Sequence, residues 1–166
     1  PKDVTVAAIE KRYDADVGEL NLAWAKLHGE SCAPATAERP GIVGTQTCVA
    51  CHVAAGEVWK QTRHPQAFST LAHEGKQYHL DCVGCHVTGW KQPQGVCRID
   101  ETAGRREVGC ESCHGAGSAH VAAPAKANIA RQVGASTCVG CHDRENSPHF
   151  DYDAYVEKVL GPGHGR

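Results

Sequence analysis

The chain lacks methionine altogether and is poor in large apolar side chains. It has only two phenylalanines, and Leu, Ile, Val and Phe together make up about a sixth of its 166 residues. So low a share is typical of disordered chains when net charge is high, but the formal net charge here is only −2. We therefore expect bound apolar groups to complete a core that the side chains alone do not fill.

Long apolar runs and basic clusters are also missing. No stretch is long enough to span a bilayer, and no short apolar segment marks a signal peptide. Lysine and arginine are scattered along the chain, which argues against a phosphate-binding patch and against nucleic acid as a partner. Because the chain begins at Pro1 and has no methionine, we expect a processed mature form or a fragment of a longer precursor.

Cysteine, in contrast, is abundant, and eight of the ten cysteines lie in four copies of Cys-x-x-Cys-His, at residues 48–52, 82–86, 110–114 and 138–142. Positions i, i+3 and i+4 share one face of a helical turn, so two thiols can bond to one porphyrin while the imidazole reaches its iron. This pattern is the attachment signature of c-type haem. Zinc ribbons also use Cys-x-x-Cys pairs, but they give no reason for a histidine after every second cysteine.

The four motifs predict four covalently attached haem c groups, each with an iron. The thioether cysteines would be Cys48, Cys51, Cys82, Cys85, Cys110, Cys113, Cys138 and Cys141. The proximal iron ligands would be His52, His86, His114 and His142. Four large macrocycles also account for the shortage of apolar side chains, because a thin polypeptide can wrap around them.

Cys32 and Cys97 lie outside the motifs. C-type haem is attached outside the cytoplasmic membrane, where disulfides persist. The two residues are expected either to form a bridge between the N-terminal arm and the haem domain or to remain two free thiols.

The fold is predicted to be mainly α with little regular structure, as a multihaem cytochrome c wrapped around four haems. An apolar stripe predicts a helix over residues 3–28, which we expect to pack on its own haem domain rather than on another subunit. Residues 1–44 would form this helix and a linker arm, and residues 45–166 the tetrahaem domain. The apolar stripe of the predicted helix consists of Ile9, Tyr13, Val17, Leu20, Trp24 and Leu27.

Two short apolar segments around a polar turn predict a small β-hairpin near residues 96–108.

The missing methionine also restricts the sixth ligand of each iron. Ligation of an iron by histidine and methionine, which raises the reduction potential, is excluded. Each sixth ligand is therefore histidine, water, another residue or nothing. Haems with two histidine ligands would have low potentials. The histidines outside the motifs are His28, His64, His73, His79, His120, His149 and His164.

Several further segments resemble the tetrahaem cytochromes of the c-554 type. These are Glu57-x-Trp59-Lys60, His64-x-x-Ala67-Phe68, the second motif with Val87-Thr88-Gly89-Trp90, the third motif with Gly109 and Gly115, and the C-terminal stretch from Phe150 to His164. The resemblance covers roughly residues 45–164.

The resemblance implies that distal ligands come from distant segments of the chain. It assigns His120 to haem 1, His64 to haem 3 and His164 to haem 4, with haems numbered by motif order. In the founding members of the family, the iron of haem 2 has no sixth protein ligand. For haem 2 of this chain we rank His73 first and then His149, with His28 or His79 supplied by a neighbouring subunit as further alternatives.

Electron transfer by a periplasmic or extracellular carrier is the function that these features predict. Its partners would be redox proteins or an extracellular acceptor, and it would act as a discrete carrier, a homo-oligomer or a cytochrome filament. We expect no enzymatic activity unless haem 2 is five-coordinate, in which case it would act on a small nitrogen oxide or oxygen species. Acidic residues near the motifs are expected to be solvated charges or contacts at a haem edge.

Overall fold

The computed structural model describes residues 3–164, and it is mainly α with little other regular structure, as predicted. Two short 3₁₀ turns, His64–Gln66 and Lys126–Asn128, accompany the helices. No helix in the described part of the chain is long and apolar enough to cross a membrane. The helices are α1 (Val4–His28), α2 (Thr45–Val49), α3 (Val53–Lys60), α4 (Ala67–His73), α5 (Leu80–His86), α6 (Cys110–His114), α7 (Ser118–Ala122), α8 (Ala135–Cys138) and α9 (Tyr152–Val156).

Helix α1 begins and ends where its capping residues predict. The Asp3 carboxylate accepts hydrogen bonds from the backbone N–H groups of Thr5 and Val6, and these bonds lower the pKa of Asp3. At the other end, the N–H of Gly29 donates to the carbonyl of Ala25 at 2.8 Å. Local chemistry therefore sets both ends of the helix.

The face of α1 that packs on the rest of the chain is not the predicted apolar stripe. Gly18 lies against Tyr78, and the Asn21 side-chain amide donates to the Tyr78 carbonyl at 3.0 Å. The His79 ring lies 3.1 Å from the carbonyl of Asp14. The helix therefore contacts its own domain, as expected, but five of the six stripe residues are exposed, so the contact is made by another face. A small residue and polar groups make this contact because they fit closely and satisfy backbone groups of the 78–79 segment.

The buried apolar core is small and lies where α1, α4 and α5 meet the loop after α5. Tyr78 and Trp90 pack against its edge. A core of this size agrees with the low share of aliphatic residues in the sequence. The core residues are Ala25, Phe68, Val83, Val87, Val96 and Ile99.

The β-hairpin predicted near residues 96–108 does not form. Among the described residues, Val96 makes a single isolated bridge with Trp90, and the Arg105 carbonyl accepts from the N–H of Thr88. Val96 and Ile99, three positions apart, are both buried in the core. A strand places residues two apart on one face, so burying positions i and i+3 is incompatible with the predicted strand.

Cys32 and Cys97 form a disulfide, which decides between the two alternatives that the sequence left open. The bridge joins the segment after α1 to the loop that carries Val96 and Ile99. It therefore fixes the arm to the small apolar core.

The disulfide gives the first testable prediction. Replacing both cysteines, as Cys32→Ser/Cys97→Ser, should lower the free energy of unfolding by about 2–4 kcal/mol, because a cross-link across 65 residues restricts the unfolded chain. Guanidinium unfolding of the haem-loaded protein would measure the change. Alkylation followed by mass spectrometry checks the bond itself: no label before reduction and two labels after it are expected, and two labels on the unreduced protein would contradict the pairing.

Candidate haem sites

Each Cys-x-x-Cys-His motif forms one helical turn, as its spacing requires. The second motif lies within α5 and the third is α6 itself. In the first, the N–H of His52 donates to the Cys48 carbonyl at 2.9 Å, and the N–H of His142 does the same to Cys138 in the fourth. None of the eight motif cysteines forms a disulfide. Two thiols and one imidazole therefore sit on a single turn at all four motifs.

The four motifs are close neighbours in space. The Cys48 thiol lies within hydrogen-bonding reach of Cys110, a contact that raises the pKa of Cys48. The Cys85 thiol lies 3.9 Å from the carbonyl of Gly140. Motif 1 therefore adjoins motif 3, and motif 2 adjoins motif 4.

An electrostatic interaction links these two pairs of motifs. The nearby thiol of Cys138 helps to raise the pKa of Cys113, after burial, which is the larger cause. Burial and a contact with Cys85 raise the pKa of Cys141 to about 12. The spatial order of the motifs is thus 1, 3, 4, 2, which differs from their order along the chain.

Two pairs of histidine rings from distant segments lie close together. The centroids of His52 and His120 are 6.1 Å apart with ring planes inclined by 26°, and those of His64 and His142 are 6.3 Å apart with an inclination of 56°. A metal–imidazole bond is about 2.0–2.1 Å long. Two imidazoles bound on opposite sides of one metal ion then have centroids about 6 Å apart. The centroid separations of both pairs match this spacing.

His164 lies close to His114, the proximal histidine of motif 3. Burial, followed by the nearby His114, lowers the pKa of His164. The Nδ1 atom of His164 is buried and, among the described residues, has no hydrogen-bond partner. The structure therefore places His64 beside His142 and His164 near His114, whereas the resemblance implies the opposite assignment.

Hydrogen bonds at Nδ1 orient three of the candidate ligands. The Nδ1 atoms of His86, His114 and His120 lie 2.6, 2.6 and 3.1 Å from the carbonyl oxygens of Ala67, Ala130 and Ala125. A carbonyl only accepts, so each ring donates its Nδ1–H and keeps the Nε2 lone pair for a metal. Such bonds are the usual outer partners of metal-bound histidine.

The fourth motif histidine is oriented by a hydroxyl and an aromatic ring. The Nδ1 atom of His142 lies 3.0 Å from the Ser147 hydroxyl, and its ring stacks on Phe150 with centroids 4.6 Å apart. Burial lowers the pKa of both His142 and His64. Both residues are therefore held in the neutral form that binds metals.

The histidine of the second motif has no second histidine located beside it. Among residues 3–164, no ring contact joins His86 to another histidine, and no histidine has a pKa that is shifted by His86 in the way that the pKa of His164 is shifted by His114. The predicted candidates lie elsewhere: His73 and His149 are exposed, and His28 stacks on Trp24 with centroids 4.0 Å apart. The Nε2 atom of His79 lies within hydrogen-bonding distance of the carbonyl oxygen of Asp14 in α1. The structure brings none of the four to His86.

Glu111, inside the third motif, is a residue whose role the sequence analysis missed. It is 3% exposed, and its carboxylate accepts hydrogen bonds from the N–H groups of Val43, Gly44 and Gly117 at 2.9, 2.7 and 2.7 Å. The expectation that acidic residues near the motifs are solvated or at a haem edge is wrong for Glu111. Its position between two motif cysteines, followed by a glycine-rich segment, was the only signal in the sequence.

Among the described residues, no group of three or more His, Cys, Asp or Glu side chains is arranged to hold a metal ion by itself.

Residues 47–115 match the family described as "Cytochrome c554 and c-prime". Cytochrome c-554 of Nitrosomonas europaea is 37% identical over 89 residues, an alignment that covers 45% of this chain and 38% of that protein. The chain thus spans well under half of this relative's length. No solved structure matches the chain.

The buried carboxylate of Glu111 gives the second prediction. Glu111→Gln keeps the shape but removes the charge and turns an amide group toward backbone N–H donors, so the free energy of unfolding should fall by about 2–4 kcal/mol. Guanidinium unfolding of the haem-loaded protein measures it. Glu57→Gln is the matched control, because Glu57 makes only an exposed ion pair with Lys60 and should change stability by less than about 1 kcal/mol. Equal effects of the two substitutions would contradict the anchoring role.

Proposed function

We propose that the protein, whose residues 47–115 match the c554 cytochrome family, is a tetrahaem electron carrier that links redox partners outside the cytoplasmic membrane. The observation that supports this most strongly is the presence of two neighbouring pairs of histidine rings, His52–His120 and His64–His142, each with the centroid spacing of two axial ligands. A haem iron whose two axial positions are both occupied by protein ligands exchanges electrons without binding substrate.

Each haem would be held by the two cysteines of its motif and by an axial pair of histidines. We assign His52 and His120 to haem 1, and His142 and His64 to haem 4. His114 and His164 would ligate haem 3, which exchanges the roles of His64 and His164 relative to the implied assignment. His86 is the proximal ligand of haem 2, and its sixth ligand remains unassigned.

Haem iron supplies reversible uptake of one electron, and the residues of this chain set where and at what potential that occurs. Histidine on both sides favours low potentials, and the chain has no methionine to raise them. The interactions Cys48–Cys110, Cys113–Cys138 and Cys85–Cys141 support a path in the order haem 1, 3, 4, 2. Electrons would then enter and leave at haems 1 and 2.

Location and partners follow from the same chemistry. C-type haem is attached outside the cytoplasmic membrane, so the carrier would work in the periplasm or beyond it, together with redox proteins or an extracellular acceptor. Haem propionates add negative charge to a chain that already carries −2, which favours partners with a basic surface. Polymerisation into a filament stays a prediction from the sequence.

A second candidate function rests on the second motif. His86 is the proximal histidine to which no second histidine is assigned, so haem 2 is the position at which an iron would bind a small nitrogen oxide or oxygen species. A high-spin signal in the oxidised protein, together with carbon monoxide binding after reduction, would support this activity. Four low-spin haems that resist carbon monoxide would exclude it.

Removal of single distal histidines gives the third prediction. His120→Gly and His64→Gly should each convert one haem per chain from low-spin to high-spin, because each removes one axial ligand. Electron paramagnetic resonance of the oxidised protein counts the converted haems, and added imidazole should restore the low-spin signal. His73→Gly is the control and should leave haems 1 and 4 low-spin. No conversion by His64→Gly would contradict the assignment, whereas a conversion by His73→Gly would identify His73 as the sixth ligand of haem 2.

The exchange of roles between His64 and His164 gives the fourth prediction. Cys138→Ala/Cys141→Ala should yield a protein with three haems, by mass. In that background His64→Gly should convert no further haem to high-spin, whereas His164→Gly should still convert one. The reverse pattern would restore the assignment implied by the family resemblance.

A further inference from the structure

Helix α1 carries an exposed row of large apolar side chains. The exposed fractions are 48% for Val6, 64% for Ile9, 63% for Tyr13, 71% for Leu20, 62% for Trp24 and 79% for Leu27. Soluble monomers rarely expose a contiguous apolar patch of this kind, and such patches mark interaction surfaces. We name these six residues the α1 stripe.

The α1 stripe lies away from the face that packs on the body. Asp14, Gly18 and Asn21 make the packing contacts with residues 78–79. At about 100° per residue, the stripe is centred about 115° around the helix from them. Val6, Tyr13, Leu20 and Leu27 are seven positions apart, the spacing of helices that pack along one another.

The charges beside the α1 stripe are complementary to themselves in only one orientation. Arg12 and Glu19 directly precede Tyr13 and Leu20, so both lie on the same flank. In an antiparallel helix pair related by a two-fold axis, this flank faces its own copy, which brings Arg12 toward Glu19 of the partner subunit. In a parallel pair, Arg12 lies opposite Val17 of the partner subunit and Glu19 opposite Trp24 of the partner subunit, neither of which is charged. The charged residue of that flank, Glu10, lies opposite Thr5 of the partner subunit.

We propose that α1 binds α1 of a second copy of this chain in an antiparallel, two-fold symmetric dimer. The axis passes near residues 16 and 17. Val6 then lies opposite Leu27 of the partner subunit, Ile9 opposite Trp24 of the partner subunit and Tyr13 opposite Leu20 of the partner subunit. Arg12 and Glu19 contribute two ion pairs across the interface, one from each copy.

The area of the α1 stripe is sufficient for a stable dimer. Large side chains have surfaces of about 150–250 Å² each, so the exposed parts of the six amount to roughly 700 Å² per helix. Two helices together bury about 1,400 Å², within the usual 1,200–2,000 Å² of specific interfaces. Asp16 lies near the axis, and its carboxylate is 3.8 Å from the Arg12 guanidinium of its own helix, which offsets the repulsion between the two copies of Asp16.

Light scattering coupled to size-exclusion chromatography of the haem-loaded 166-residue chain tests the dimer. The wild type should have twice the monomer mass, and Leu20→Glu should have the monomer mass because it places a charge in the centre of the stripe. Ala15→Glu is the matched control: it is exposed on the same helix but off the stripe, and should remain dimeric. An unchanged absorption spectrum shows that each variant keeps its haems.

The antiparallel orientation is tested by exchanging charges. Arg12→Glu should weaken the dimer at least tenfold, and Arg12→Glu/Glu19→Arg should restore it. A wild type that is monomeric at high micromolar concentration would overturn the proposal, as would a dimer or filament unaffected by Leu20→Glu. A monomer whose haem spectrum changes in Leu20→Glu would show instead that the stripe covers a haem of its own chain.

Discussion

The structure depends on imidazole rings that meet in pairs from segments far apart in the chain. His52 meets His120, and His64 meets His142, at separations that suit one iron between each pair. A chain with so small an apolar core gains little stability from aliphatic packing, so links through metal and covalent thioethers would replace it. Under the proposed ligation, haem loading and folding are one process, and each haem connects parts that have few other contacts.

Polar contacts complete the links between segments. The Glu111 carboxylate joins the third motif to the chain just before the first, and the Cys32–Cys97 disulfide fixes the arm beside the core. Both act near the turns that carry the thiols. Because the motifs adjoin in the order 1, 3, 4, 2, such anchors would determine which of the proposed haems are neighbours, and hence the route proposed for electrons.

The sequence predicted the structural features that depend on neighbouring residues, but it did not predict the contacts between distant segments. Asp3 and Gly29 limit α1 as their capping preferences predict, and the motif spacing predicted four helical turns. The hairpin failed because Val96 and Ile99 are buried together by tertiary packing, which overrides strand propensity. The exposed α1 stripe, the buried Glu111 and the neighbours of His64 and His164 depend on contacts between residues tens of positions apart, and no local pattern encodes these.

The proposed ligation is tested most directly by an experimental density map of the haem-loaded protein at the iron of haem 4. His142 is expected on one side of that iron and His64 on the other, with His164 at the iron of haem 3. Density for His164 across the iron from His142 would contradict the proposed ligation and the link between segments on which it rests.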